Sequence, residues 1–173
     1  PQEIVLERGT YTLAGRQVIQ FPLVIRGATG KPGDVTVEGK NGFQLFNLDH
    51  ADAAILSVTL TKGRVAPQSN EYAPYSGAAV AIRIVDSLQG WKSPADGAGG
   101  MVSNCIVTAC THNYSWVVSL YDGLVTGCRF FGTMQTLGSL IKITHGTLEN
   151  SLVTGNTLKA GFSWWGGNDT IRN

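Results

Sequence analysis

The chain returns to one short pattern at a fixed spacing. GMVSNCIVTAC (100–110), GLVTGCRFFGT (123–133) and GTLENSLVTGN (146–156) align with Asn104, Gly127 and Asn150 in matching places, and Asn173 stands where the next would fall. Each of these lies 23 residues after the one before. A unit that short cannot bury its apolar side alone, so copies at constant spacing point to stacked repeats that bury one another.

Within the repeat, apolar and polar residues alternate, and no 3.6-residue stripe runs long enough for a helix. SWVVSLYDG, LVTG and CRFFG read as three short strands, followed by the turn TMQTLG. Side chains alternate along a strand, so Val118, Leu120, Ile141 and Ile143 are expected inward, with Ser119 and Lys142 outward. Val125, Leu148, Cys128, Phe130, Ser151 and Val153 join the predicted interior. Between strands the backbone must bend. Gly adopts the left-handed conformation freely and Asn tolerates it, which accounts for Asn104, Gly127, Asn150 and Asn173 as a bend column. Asn side chains stacked along it are expected to hydrogen-bond to one another.

The N-terminal stretches EIVLERGTYTL, PLVIRGATG, DVTVEG, FQLFNL and AAILSVTLT also read as short strands, as does AAVAIRIVD. Two segments break the pattern and read as inserted loops, 62–78 and 87–99. The whole of 1–173 reads as one domain. Because it opens at Pro1 and stops inside a repeat, it is expected to be part of a longer protein.

Charged residues make up only 14% of the chain, against roughly 25% in an average domain, and Gly is frequent at 22, as strands joined by tight turns require. A net charge of +1 gives nucleic acid no electrostatic hold, so none is expected as a partner. No apolar run approaches the roughly 20 residues that cross a bilayer. Cys105 and Cys128 occupy equivalent places in successive repeats. Stacked strands lie about 4.8 Å apart, which permits a disulfide, although two small buried thiols are the plainer expectation.

With this bend column, the strand pair around each bend and the stacked apolar columns, the chain resembles the right-handed parallel β-helix family, the pectate-lyase-like superfamily. IVLERGTYTL…LVIRGATGKPGDVTVEG is similar to the opening of secreted bacterial β-helix proteins. The resemblance implies an all-β, right-handed parallel β-helix (a solenoid) of about six rungs, three short strands per ~23-residue rung, placed outside the cell or on its surface. It implies little about activity, because the fold hosts lyases, hydrolases, tailspikes and adhesins.

Aligning the repeats on their bends sets Asn47, Arg83, Ser119, Lys142 and Trp165 in one outward column, and His50, Asp86, Asp122, His145 and Asn168 in another. Val85, Tyr121 and Thr144 lie between. In enzymes of the resembled fold the groove runs along this first strand of the rung. A lyase acting on an acidic polysaccharide needs a base and a cation that steadies the enolate-like anion. Arg83 and Lys142 suit the carboxylate, and His145 or Tyr121 the proton. Asp86 and Asp122 would hold Ca²⁺, a thin ligand set against the usual six to eight oxygens. Trp165, Trp91 and Ser119 are candidate sugar contacts, with Trp164, Tyr72 and Tyr75 as further aromatics. The plainer reading makes these columns the wet face of a stack, paired across rungs for solubility. No tight Asp trio of the polygalacturonase kind is present, and no phosphate loop or metal-ligand spacing.

Three expectations of function follow. The first is a structural or interaction module of a secreted or surface-attached protein, displaying its two loops and touching glycans. The second is the lyase. The third is head-to-tail self-association into fibres through unpaired strand edges.

Overall fold

Val, Ile, Leu and Phe recur at alternate positions in runs of three to six residues, and a pleated strand turns that alternation into one apolar face. In the computed structural model of the protein these runs form short parallel strands. The structure describes residues 1–65, 77–82, 100–112, 116–135, 139–143, 146–157, 160–164 and 170–172. Among them there is no α-helix, only a 3-10 turn at Pro32–Asp34.

The strands gather into parallel sheets in three stacks, an arrangement consistent with a parallel β-helix. Among the described residues the first sheet has seven strands, in the order Gln2–Leu6, Leu23–Gly27, Ala54–Leu56, Met101–Ser103, Leu124–Thr126, Thr147–Glu149 and Thr170–Arg172. The second runs Gly9–Thr12, Val35–Glu38, Thr59–Thr61, Ile106–Thr108, Arg129–Phe131 and Leu152–Val153. The third runs Gln17–Ile19, Phe46–Leu48, Gly77–Ile82, Trp116–Leu120, Ser139–Ile143 and Ala160–Trp164. The chain visits the three in rotation, and each visit lays one parallel strand beside the last.

This register lines up the core. In the first sheet Ile4, Ile25, Ile55, Val102, Val125, Leu148 and Ile171 stand opposite one another in succession. The middle of that column is sealed, with Ile55 and Val125 fully buried, while Ile4 is 46% and Ile171 49% exposed at its two ends. The second sheet stacks Tyr11, Val37, Leu60, Val107, Phe130 and Val153 in the same way. Each aliphatic side chain withdrawn fully from water contributes about 1.5–3 kcal/mol, so the columns supply the drive for stacking.

The predicted bend column is present. Asn104, Gly127 and Asn150 take φ of 50°, 62° and 48°, and Ser57 joins them at 55°; Asn173 lies outside the described residues. In place of an unbroken ladder of Asn amides, the Asn104 amide donates to the Ser57 hydroxyl and to the Gly30 carbonyl. A second left-handed column follows the second sheet, at Lys62, Ala109, Gly132 and Gly155, with φ of 54°, 48°, 61° and 59°. It escapes a sequence reading because Lys and Ala carry no bend signal.

Two boundaries shift. TMQTLG, expected as a turn, contains the strand Met134–Gln135, which pairs with Thr111–His112, itself paired with Arg64–Val65. The loop expected over 62–78 thus gives up Arg64–Val65 to this small sheet and Gly77–Ala78 to the third sheet. Residues 66–76 of it, like 87–99, lie outside the described residues. Cys105 and Cys128 sit at successive corners as buried free thiols, and Cys110 is buried and free as well.

Candidate functional site

The register of the third sheet decides which polar residues meet. Lys142 stands between Ser119 and Ser163, Ser119 between Ala81 and Lys142, and Ala81 opposite Asn47. Asn47, Ser119 and Lys142 therefore share a column, but Ala81 and Ser163 fill the places expected for Arg83 and Trp165. The physical reason is that the chain between successive strands of this sheet differs in length from rung to rung, which moves the residue brought into the row by two places. Arg83, Asp86, Trp91, His145, Trp165 and Asn168 lie outside the described residues.

This column is expected to be wet, yet its middle is covered while Asn47 is half-buried. Ser119 is fully buried and Lys142 is 5% exposed. The middle strands of this sheet are buried on both faces, since Ala79, Ala81, Val117 and Leu140 are enclosed along with Val80, Val118 and Ile141. A sheet closed on both sides offers no open groove at this point for a polymer.

Under that cover Lys142 finds specific company. Its Nζ donates to the Tyr121 hydroxyl at 2.9 Å. The ammonium also lies 4.4 Å from the centroid of the Trp116 ring and 4.8 Å from that of Tyr121. Both contacts fall within the range in which a ring quadrupole attracts a cation. Burial lowers the Lys142 pKa from 10.5 to about 8, because an ammonium withdrawn from water loses hydration that its neutral form does not need. Trp116 was not singled out in the sequence. It stands three residues before Ser119 in SWVVSLYDG, and only the fold shows that the long Lys142 side chain reaches it.

Two polar atoms of the same column are buried without a hydrogen-bond partner among the described residues, Ser119 Oγ and Asn47 Oδ1. Such atoms are uncommon in native interiors, where leaving one unpaired costs about 1–3 kcal/mol.

Of the two carboxylates expected to hold Ca²⁺, Asp122 alone is among the described residues. Asp122 Oδ1 accepts from the Gly123 backbone N–H at 2.8 Å, so it fastens its own turn. His50 Nδ1 likewise accepts from the Asp52 N–H at 3.0 Å. No three His, Cys, Asp or Glu side chains gather into a metal site among the described residues. Elsewhere on the surface, charges pair between neighbouring turns: Lys62 with Glu38 at 2.6 Å, and Arg26 with Glu3 at 2.5 Å. The Lys62 ammonium bonded to Glu38 holds that carboxyl below the usual range.

At the corners, polar groups are satisfied internally. Asn156 Oδ1 accepts from the Thr133 N–H and hydroxyl, and its amide donates to the Phe130 and Thr154 carbonyls. The Cys128 N–H donates to Ser151 Oγ, which donates in turn to the Glu149 carbonyl. Burial pushes the Cys105 thiol up and takes Cys110 to about 12. The hydrogen bond with Cys105 holds Cys128 lower, so Cys128 ionises first of the pair. Comparisons with family models, with curated proteins and with solved structures return no match for this chain.

Proposed function

We propose that this chain is a right-handed parallel β-helix of the pectate-lyase-like kind, a rigid module outside the cell or on its surface that presents the segments between its strands to a glycan. One observation carries the reading. The strands keep their partners from turn to turn while the chain between them varies in length: Ser103 pairs with Leu56 across one long turn and with Thr126 across one short one. A scaffold of that kind absorbs insertions without losing its register, which is what a display module requires. The burial of Ser119 and Lys142 supports display over cleavage, since a lyase must bring a polymer to its base and its cation.

The test is a panel of acidic and neutral polysaccharides, with and without Ca²⁺, read by binding and by mass spectrometry of the products. Binding with intact polymers is the expected result. Unsaturated sugar ends would establish the lyase alternative, and binding to none of the panel would remove glycans as the partner.

A further inference from the structure

We infer that Lys142, walled by Trp116 and Tyr121 and backed by Ser119, is a site for reversible covalent capture of a small aldehyde or ketone as an imine. The inference does not depend on the glycan reading, and it rests on four observations about one cluster. The amine lies in hydrogen-bond contact with a phenolic hydroxyl, Nζ to Tyr121 Oη at 2.9 Å. Two aromatic rings stand 4.4 Å and 4.8 Å from it. Ser119, its register partner on the neighbouring strand, buries a hydroxyl that has no partner among the described residues. Lys142 itself is 5% exposed, while Trp116 and Tyr121, the rings beside it, are both partly open to solvent.

Each part has a place in the chemistry. An amine attacks a carbonyl only when unprotonated, and a desolvated lysine keeps more of that form than a hydrated one. With the Lys142 pKa at about 8, roughly a tenth of the amine is neutral at pH 7. The Nζ lone pair forms the new C–N bond while the carbonyl π pair moves to oxygen, which takes the Tyr121 hydroxyl proton. The nitrogen returns a proton to Tyr121, leaving a neutral carbinolamine. Loss of its hydroxyl as water, protonated through Tyr121 with a proton given up from nitrogen, leaves the imine. The balance is amine plus carbonyl giving imine plus water, with no oxidant or reductant. Ser119 Oγ supplies a donor for the carbonyl oxygen, and the rings keep bulk water from reversing the last step. An amine only 5% exposed suits a small guest, and the flat rings beside it suit a planar carbonyl.

The experiment treats the intact chain with glycolaldehyde and sodium cyanoborohydride at pH 7, with the aldehyde limiting, and maps the reduced adduct by peptide mass spectrometry. The expected result places most of the adduct on Lys142 ahead of exposed lysines such as Lys62. Tyr121→Phe should slow labelling at Lys142 by about a hundredfold, the lower end of what a positioned acid–base group contributes. Adduct spread over the exposed lysines with Lys142 spared overturns the inference. The mapping is done on the unaltered protein, so the outcome does not hang on whether any variant folds.

Discussion

Asn104 reaches across to Ser57, its amide donating to the serine hydroxyl at 3.0 Å, while both residues hold left-handed backbone at the same corner of successive turns. The same amide donates to the Gly30 carbonyl at 2.9 Å, so one side chain ties three segments together.

Replacing Asn104 separates the two roles. Asn104→Gly keeps the backbone at ease and loses the hydrogen bonds, a cost of about 1–2 kcal/mol. Asn104→Ala loses the same bonds and also holds a β-carbon at positive φ, which adds about 1 kcal/mol. Urea denaturation should rank wild type, glycine and alanine in that order of stability, and equal values for the two variants would show that the left-handed bend carries no strain.

Ala109 presents the opposite case. It holds φ of 48° in the second bend column, where Gly132 and Gly155 occupy the following turns. Ala109→Gly relieves that conformation at some cost in unfolded-state entropy, for a net gain of about 0.5–1 kcal/mol. A drop in the urea midpoint would contradict this.

The two columns also mark what the sequence discloses. Asn and Gly at constant spacing reveal one bend, and alternation reveals the inward rows, because both depend on residue type. Lys62 and Ala109 bend without any compositional sign, in register with Gly132 and Gly155 of later turns. The polar column of the third sheet is half legible: Asn47, Ser119 and Lys142 do align, but Ala81 takes the place expected for Arg83, because residue spacing from one strand to the next is not constant where the chain between them is long. Burial of that column was hidden as well, since alternation specifies a second face without saying whether that face meets water.

Close approach makes Gly63 a sharper test of packing. A β-carbon there would sit 2.1 Å from the Ala78 carbonyl oxygen and 3.0 Å from Leu45, both at the core. Gly63→Ala should cost more than about 2 kcal/mol, in the range of overpacked interiors. Gly15, with nothing within 4 Å, is the control, and its alanine variant should unfold at the wild-type midpoint.

Lys142 gives a pH dependence with a definite sign. Its folded pKa, about 8, lies below the ordinary 10.5, so between these values the unfolded chain binds more protons than the folded one. Stability from this group therefore rises with pH from 8 to 10.5 and is flat below 8. At neutral pH the protein bears the cost of the buried ammonium, on the order of 1–3 kcal/mol. Thermal melts of Lys142→Met against wild type should show the variant gaining most below pH 8 and its advantage shrinking toward pH 10.5. A constant difference across that range would mean that the amine is not desolvated.

The three thiols should resist alkylation. Cys105, Cys110 and Cys128 are all buried, and burial holds Cys105 and Cys110 in the unreactive protonated form. Iodoacetamide at pH 8 should leave the native chain largely unmodified and label all three in urea, with Cys128 the first to react as the fold loosens. Rapid labelling of the native chain would show that the corners open readily.

The long turn between Leu56 and Ser103 changes how the molecule's size should be reckoned. Each circuit of the chain raises the stack by one strand spacing, about 4.8 Å, whether the circuit is short or long. Added sequence therefore widens the object at one level and leaves its height alone. Two proteins of this design could differ greatly in mass and still match as rulers.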